Sequence, residues 1–161
     1  MNKKTDNTNA LEQLHLGQAI YCRCSRLEPK KRRSFFTSGL PGLQLMQPDC
    51  GFEAGQSYWF EITGFFRGRI YMKPLKDPIG VRPDSLCLGA VESVQGERVM
   101  VQVHPHHRLP VVDPISHWDE KPRVGDLCAV MTEYDGSGAL AARLVCHTGN
   151  DRRRAAKHIG A

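Results

Sequence analysis

A chain of 161 residues with 40% apolar content and a net charge of +5 has room for one ordinary domain or two very small ones, each with a buried core. No apolar run approaches the roughly 20 residues that span a bilayer, and the polar start from Met1 to Asn9 lacks the apolar stretch of a secretory signal, so a cytoplasmic protein without membrane attachment is expected. In that reducing setting the six cysteines (Cys22, Cys24, Cys50, Cys87, Cys128, Cys146) are expected as small buried apolar groups and not as a disulfide framework.

Met1 to His15 is polar, with one short helix-compatible run at Ala10–Leu14, and is expected to be a flexible N-terminus. From Gly17 the pattern alternates: Ile20, Cys22 and Cys24 point one way, Tyr21, Arg23 and Ser25 the other, as in a strand with one buried face. Leu27 to Arg33 reads as a charged turn into a second strand, Ser34 to Thr37, which ends at Ser38-Gly39-Leu40-Pro41-Gly42. Leu43 to Gly55 shows no helical stripe and is read as strand and loop. Ser57 to Phe66 is a further strand, and Gly64 and Gly68 bracket the turn into Arg69 to Leu75.

Residues 77–84, rich in charge and proline, are expected to link two units, 16–76 and 85–147, with a basic tail at 148–161. Leu86 to Ser93 opens the second unit, Gln95-Gly96-Glu97 turns the chain, and Val99, Val101 and Val103 alternate with Met100, Gln102 and His104. His104 to Arg108 and Asp113-Pro114 read as breaks, and Ile115 to Pro122 as room for a short helical turn. Gly125-Asp126 starts the next strand, and Tyr134 to Gly138 turns into the last, Ala139 to Cys146.

The two units echo one another. Gly55-Gln56 before Ser57–Thr63 answers to Gly125-Asp126 before Leu127–Glu133, and both Gly55 to Gly125 and Ile70 to Leu140 span 70 positions. Their surfaces diverge. Residues 1–82 hold 13 Lys/Arg against 7 Asp/Glu, whereas residues 83–151 hold 5 against 10. Ten of the twelve aromatic residues lie in the first half, so function is sought there.

Five short strands, an interruption after the third and a closing hairpin follow the order of an OB-type barrel, so the expected fold is all-β: two small five-stranded OB-like barrels in tandem, with little helix. The stretches Gly125-Asp126 to Val145, and more loosely Gly55-Gln56 to Leu75, resemble the closing strands of cold-shock and S1-like domains. That resemblance implies binding of single-stranded nucleic acid. The aromatic strands that carry binding in cold-shock proteins are not present as such; Val101-Gln102-Val103-His104 keeps the shape of one without its phenylalanine.

A single-strand binding face needs cations for phosphates and flat side chains for bases. In the first unit Arg69, Tyr71 and Lys73 share one strand face, Tyr21 and Arg23 another, and Lys30, Lys31, Arg32 and Arg33 precede Phe35; Arg67 lies in the turn before Arg69. The plainer reading is a solvated charged turn over an aromatic core. Arg152, Arg153 and Arg154 add a cationic tail suited to phosphates. Cys22 and Cys24 are too close for the usual zinc spacing, and no metal, cofactor or catalytic constellation is expected from the histidines at 104, 106, 107 and 147 or from single carboxylates such as Glu61. The expected function is non-catalytic binding of single-stranded DNA or RNA with low sequence preference, as an accessory subunit of a nucleoprotein complex. The alternative is a protein–protein interaction module, adaptor or inhibitor, docking on a nucleic-acid-processing machine.

Overall fold

Alternation of apolar and polar side chains along five strands builds the first half of the chain. The computed structural model describes residues 12–48 and 51–148. Strands β1 (Ala19–Glu28), β2 (Arg33–Thr37), β3 (Gln44–Pro48), β4 (Ser57–Phe66) and β5 (Arg69–Pro74) close into a barrel in the order β1-β2-β3-β5-β4. All pairs are antiparallel except β3 with β5. Ile20, Cys22, Cys24, Phe36, Leu45, Phe60, Ile62, Ile70 and Met72 fill one apolar cluster. This closed five-stranded barrel is consistent with an OB-like fold.

Two reversals shape its outer face. The β1–β2 connection is a single 3-10 turn, Pro29–Lys31, which ends at Arg32 in the left-handed conformation with φ of 52°. Between β4 and β5 only Arg67 and Gly68 remain, with φ of 52° and 76°. Two positive φ values match the right-handed twist of the flanking strands, and glycine supplies the second without steric cost.

Strands β6 (Leu86–Gln95), β7 (Arg98–His104), β8 (His107–Pro110), β9 (Leu127–Tyr134) and β10 (Leu140–His147) form the second sheet, ordered β10-β9-β6-β7-β8. This is the strand order of the first unit opened between its third and fifth members. Of the two barrels expected, the first is closed and the second is an open sheet. Its edges meet at one parallel bridge, Val111 with Ala142, where the Val112 N–H donates to the Ala142 carbonyl at 2.8 Å. The seam stops there for a local reason: the Asp113 carboxylate takes the Leu144 N–H at 2.7 Å in place of a strand carbonyl, and Pro114 has no N–H to donate.

The repeated glycine has the same role in both halves. Gly55 and Gly125 have φ of 88° and 93°. Gly55 donates to Cys24 and Cys24 to Gln56, as Gly125 donates to Val91 and Val91 to Asp126, all at 2.8–2.9 Å. Among the described residues helix is confined to Glu12 and two 3-10 turns, the second at Ile115–His117 within the stretch where a helical turn was expected. Strand β8 begins within the stretch His104–Arg108 read from sequence as a break, because four residues bearing histidine, arginine and proline carry no apolar period.

The two halves share an interface. Leu86, Leu88 and Ala129 lie in the same apolar cluster as the barrel core. Leu14, placed by sequence in a flexible terminus, is 4% exposed in that cluster, and the Gln13 carbonyl accepts the Leu86 N–H at 3.3 Å. The stretch expected as a linker is also tied down: Ile79 bridges Gln18, and its N–H donates to Gly17 at 2.9 Å.

Candidate nucleic-acid interface

Strand register assembles the outer face of the barrel. Phe35 on β2 pairs with Met46 on β3, and Met46 with Tyr71 on β5, so three flat or soft apolar side chains form one row across three strands. All three are half-buried. Beyond Tyr71 the row reaches Gly64 on β4, which leaves open space above its Cα.

Cations stand at both ends of the row. The β1–β2 turn carries Lys30, Lys31 and Arg32, all exposed and without an ion pair among the described residues. At this end Arg26 lies over the Phe35 ring at 4.3 Å and Arg33 at 5.2 Å. Both guanidiniums share Glu28, at 3.3 and 2.6 Å, and the hydrogen bond from Arg33 holds the Glu28 carboxyl below its ordinary range. At the other end the β4–β5 turn presents Arg67, which packs 5.1 Å from the ring of Phe66, itself 58% exposed, with Arg69 following. Lys73 is exposed but pairs with Glu61 at 3.4 Å.

The residues expected to bind therefore separate. Lys30, Lys31, Arg32, Arg33, Phe35, Arg67, Arg69, Tyr71 and Lys73 lie on or around one face. Tyr21 sits elsewhere on the wall, against Trp59 at 4.9 Å between ring centroids. Arg23 does not belong to an open surface: it is 7% exposed, and its Nη2 donates to the Gly125 carbonyl of the second sheet at 2.9 Å. Its strand face is covered by the other half of the chain, which alternation within β1 cannot reveal. Arg152, Arg153 and Arg154 lie outside the described residues.

Sequence reading passed over Arg26, Met46 and Phe66. Strict alternation puts Arg26 with the inward Cys22 and Cys24, but a bulge between Cys24 and Arg26 resets the register and turns it outward beside Phe35. Phe66 was legible as an aromatic at a strand end beside a glycine turn.

Two cations of the second sheet are neutralised by carboxylates beside them. Arg108 pairs with Glu92, and Arg143 with Glu133 at 2.7 Å. Of the histidines, His104, His106 and His107 cluster at the β7–β8 turn, where the His106 N–H donates to His104 Nδ1 at 3.1 Å. His147 lies apart from them, with Nε2 2.9 Å from Asp126 Oδ2.

No family model matches the chain, and no curated protein matches it. Among solved structures it is similar to a multidomain protein with nucleic acid binding domains from Streptococcus pneumoniae TIGR4, at 16% identity and a TM-score of 0.35 over 86% of this chain. The similarity covers 48% of that protein, so the chain spans about half its length.

Proposed function

We propose that this protein binds single-stranded nucleic acid, DNA or RNA, without catalysis and with little sequence preference, on the outer face of β2, β3 and β5. The observation that carries this reading is the row Phe35–Met46–Tyr71 with cations at both ends. Bases stack on flat side chains and guanidinium planes whatever their identity, while lysines and arginines neutralise the phosphates between them. In OB-type barrels the second and third strands and the loops β1–β2 and β4–β5 are the surfaces that meet oligonucleotides, and in this chain those loops hold Lys30, Lys31, Arg32 and Arg67.

The second sheet, where Arg108 and Arg143 are already paired, would hold the barrel in place or meet a protein neighbour, and the whole would serve as an accessory subunit of a nucleoprotein complex. Fluorescence anisotropy with labelled single-stranded oligonucleotides tests this. Saturable binding that weakens steeply from low to moderate salt is expected. Binding that is absent, or indifferent to salt, overturns it.

A further inference from the structure

A second site lies away from the basic face. A cavity of about 370 Å³ opens between the β2–β3 connection, with Ser38, Leu40 and Pro41, and a wall carrying Asp119, Glu120 and His147. Among the described residues no lysine or arginine lines it, so it repels phosphate.

His147 gives this cavity its chemistry. The side chain is 3% exposed and lies 5.0 Å from Trp118 between ring centroids. Its Nε2–H is given to Asp126 Oδ2, an oxygen that also accepts the Arg123 N–H at 2.9 Å. Among the described residues Nδ1 is buried without a hydrogen-bond partner. In the neutral ring that nitrogen is an acceptor, and an unmatched buried acceptor is costly. The cleft lining thus brings together two carboxylates and an imidazole whose Nδ1 is unsatisfied among the described residues.

We propose that this cleft binds a guanidinium group. A planar cation with several N–H donors meets carboxylates in a fork and has a further N–H for the imidazole. Leu40 and Pro41 supply an apolar wall for its face or its alkyl stem, and the volume suits a ligand of amino-acid size. The arginine could come from this chain's own Arg152, Arg153 and Arg154, since Thr148 also lines the cleft, or from another molecule.

The test follows the ring nitrogens of His147 by NMR in the full chain while N-acetyl-arginine amide is added, with N-acetyl-lysine amide as comparison. A saturable His147 shift is expected, at least tenfold weaker for lysine and lost in the Asp119→Asn/Glu120→Gln variant, with amide signals of β4 and β5, which do not line the cleft, unmoved. If the chain's own tail fills the cleft, Arg152→Ser/Arg153→Ser/Arg154→Ser moves the His147 signals unaided and tightens binding of the added arginine. If the source is another molecule, that variant binds it as the parent does. No saturable shift in either protein, or an equal shift in the carboxylate variant, overturns the proposal.

Discussion

Arg23 on β1 and Gly125 before β9 are joined by a hydrogen bond of 2.9 Å from a guanidinium that is 7% exposed, so a cation that alternation assigns to an open face fastens the two sheets together. Arg23→Met is expected to lower stability by about 2–3 kcal/mol, because the Gly125 carbonyl loses a charged donor. Urea unfolding measures that loss. Oligonucleotide affinity of the folded variant should change less than twofold; unchanged stability with lost affinity would return Arg23 to the binding surface.

Tyr71→Ala and Phe35→Ala act on the row itself. Each is expected to weaken oligonucleotide binding by about 1–3 kcal/mol, the worth of one stacked base. Anisotropy and a melting curve on the same samples separate the two roles: a fall in melting temperature with unaltered affinity would make these rings packing residues only.

Salt dependence isolates the β1–β2 turn. Neutralising Lys30, Lys31 and Arg32 to serine together should reduce the slope of log affinity against log salt by about 2, at roughly 0.7 per phosphate contact on a single strand. Arg108→Ser and Arg143→Ser, which remove cations already paired with Glu92 and Glu133, should leave that slope as it is.

Acid should weaken the fold through His104. Burial, then the neighbouring His107 and His106, hold its pKa below the ordinary 6.5. The unfolded chain therefore takes up a proton before the folded one does. The stability contributed by the neutral ring is complete above pH 6.5 and is lost as pH falls through the lower folded value. Its Nδ1 accepts the His106 N–H, so His104→Asn, whose side-chain oxygen can accept the same bond, should flatten this part of the stability profile. Urea titrations on either side of pH 6.5 compare the two proteins; identical slopes would remove His104 from the account.

Gly39 marks a contact that tolerates no side chain. A Cβ there would fall 2.0 Å from the backbone carbon of Cys128 on β9. Gly39→Ala is expected to cost about 1–3 kcal/mol by forcing the β2–β3 connection off the second sheet. Chemical denaturation reads the loss.

Strand existence was legible wherever one face is buried and the other wet. Val99, Val101 and Val103 announce β7, and Ser57–Phe66 is β4 to the residue. Three things escaped local pattern. A bulge turns Arg26 outward, a tertiary cover buries Arg23, and β8 is too short to show a period. Leu14 was lost for a related reason, since a single leucine in a polar stretch shows no period and its burial depends on the distant Leu86 and Leu88. The pairing of Asp126 with His147 joins residues 21 positions apart through the register of β9 with β10, which spacing alone does not disclose.

The apolar cluster that takes Leu86, Leu88 and Ala129 together with Ile20 and Phe60 joins the two halves of the chain through one core. Heating should produce one calorimetric peak, and a cut between residues 76 and 85 should yield fragments with greasy unpaired surfaces instead of two working beads. A polynucleotide lying across β2, β3 and β5 would then carry the second sheet at a constant bearing, like a bracket and not a tethered weight.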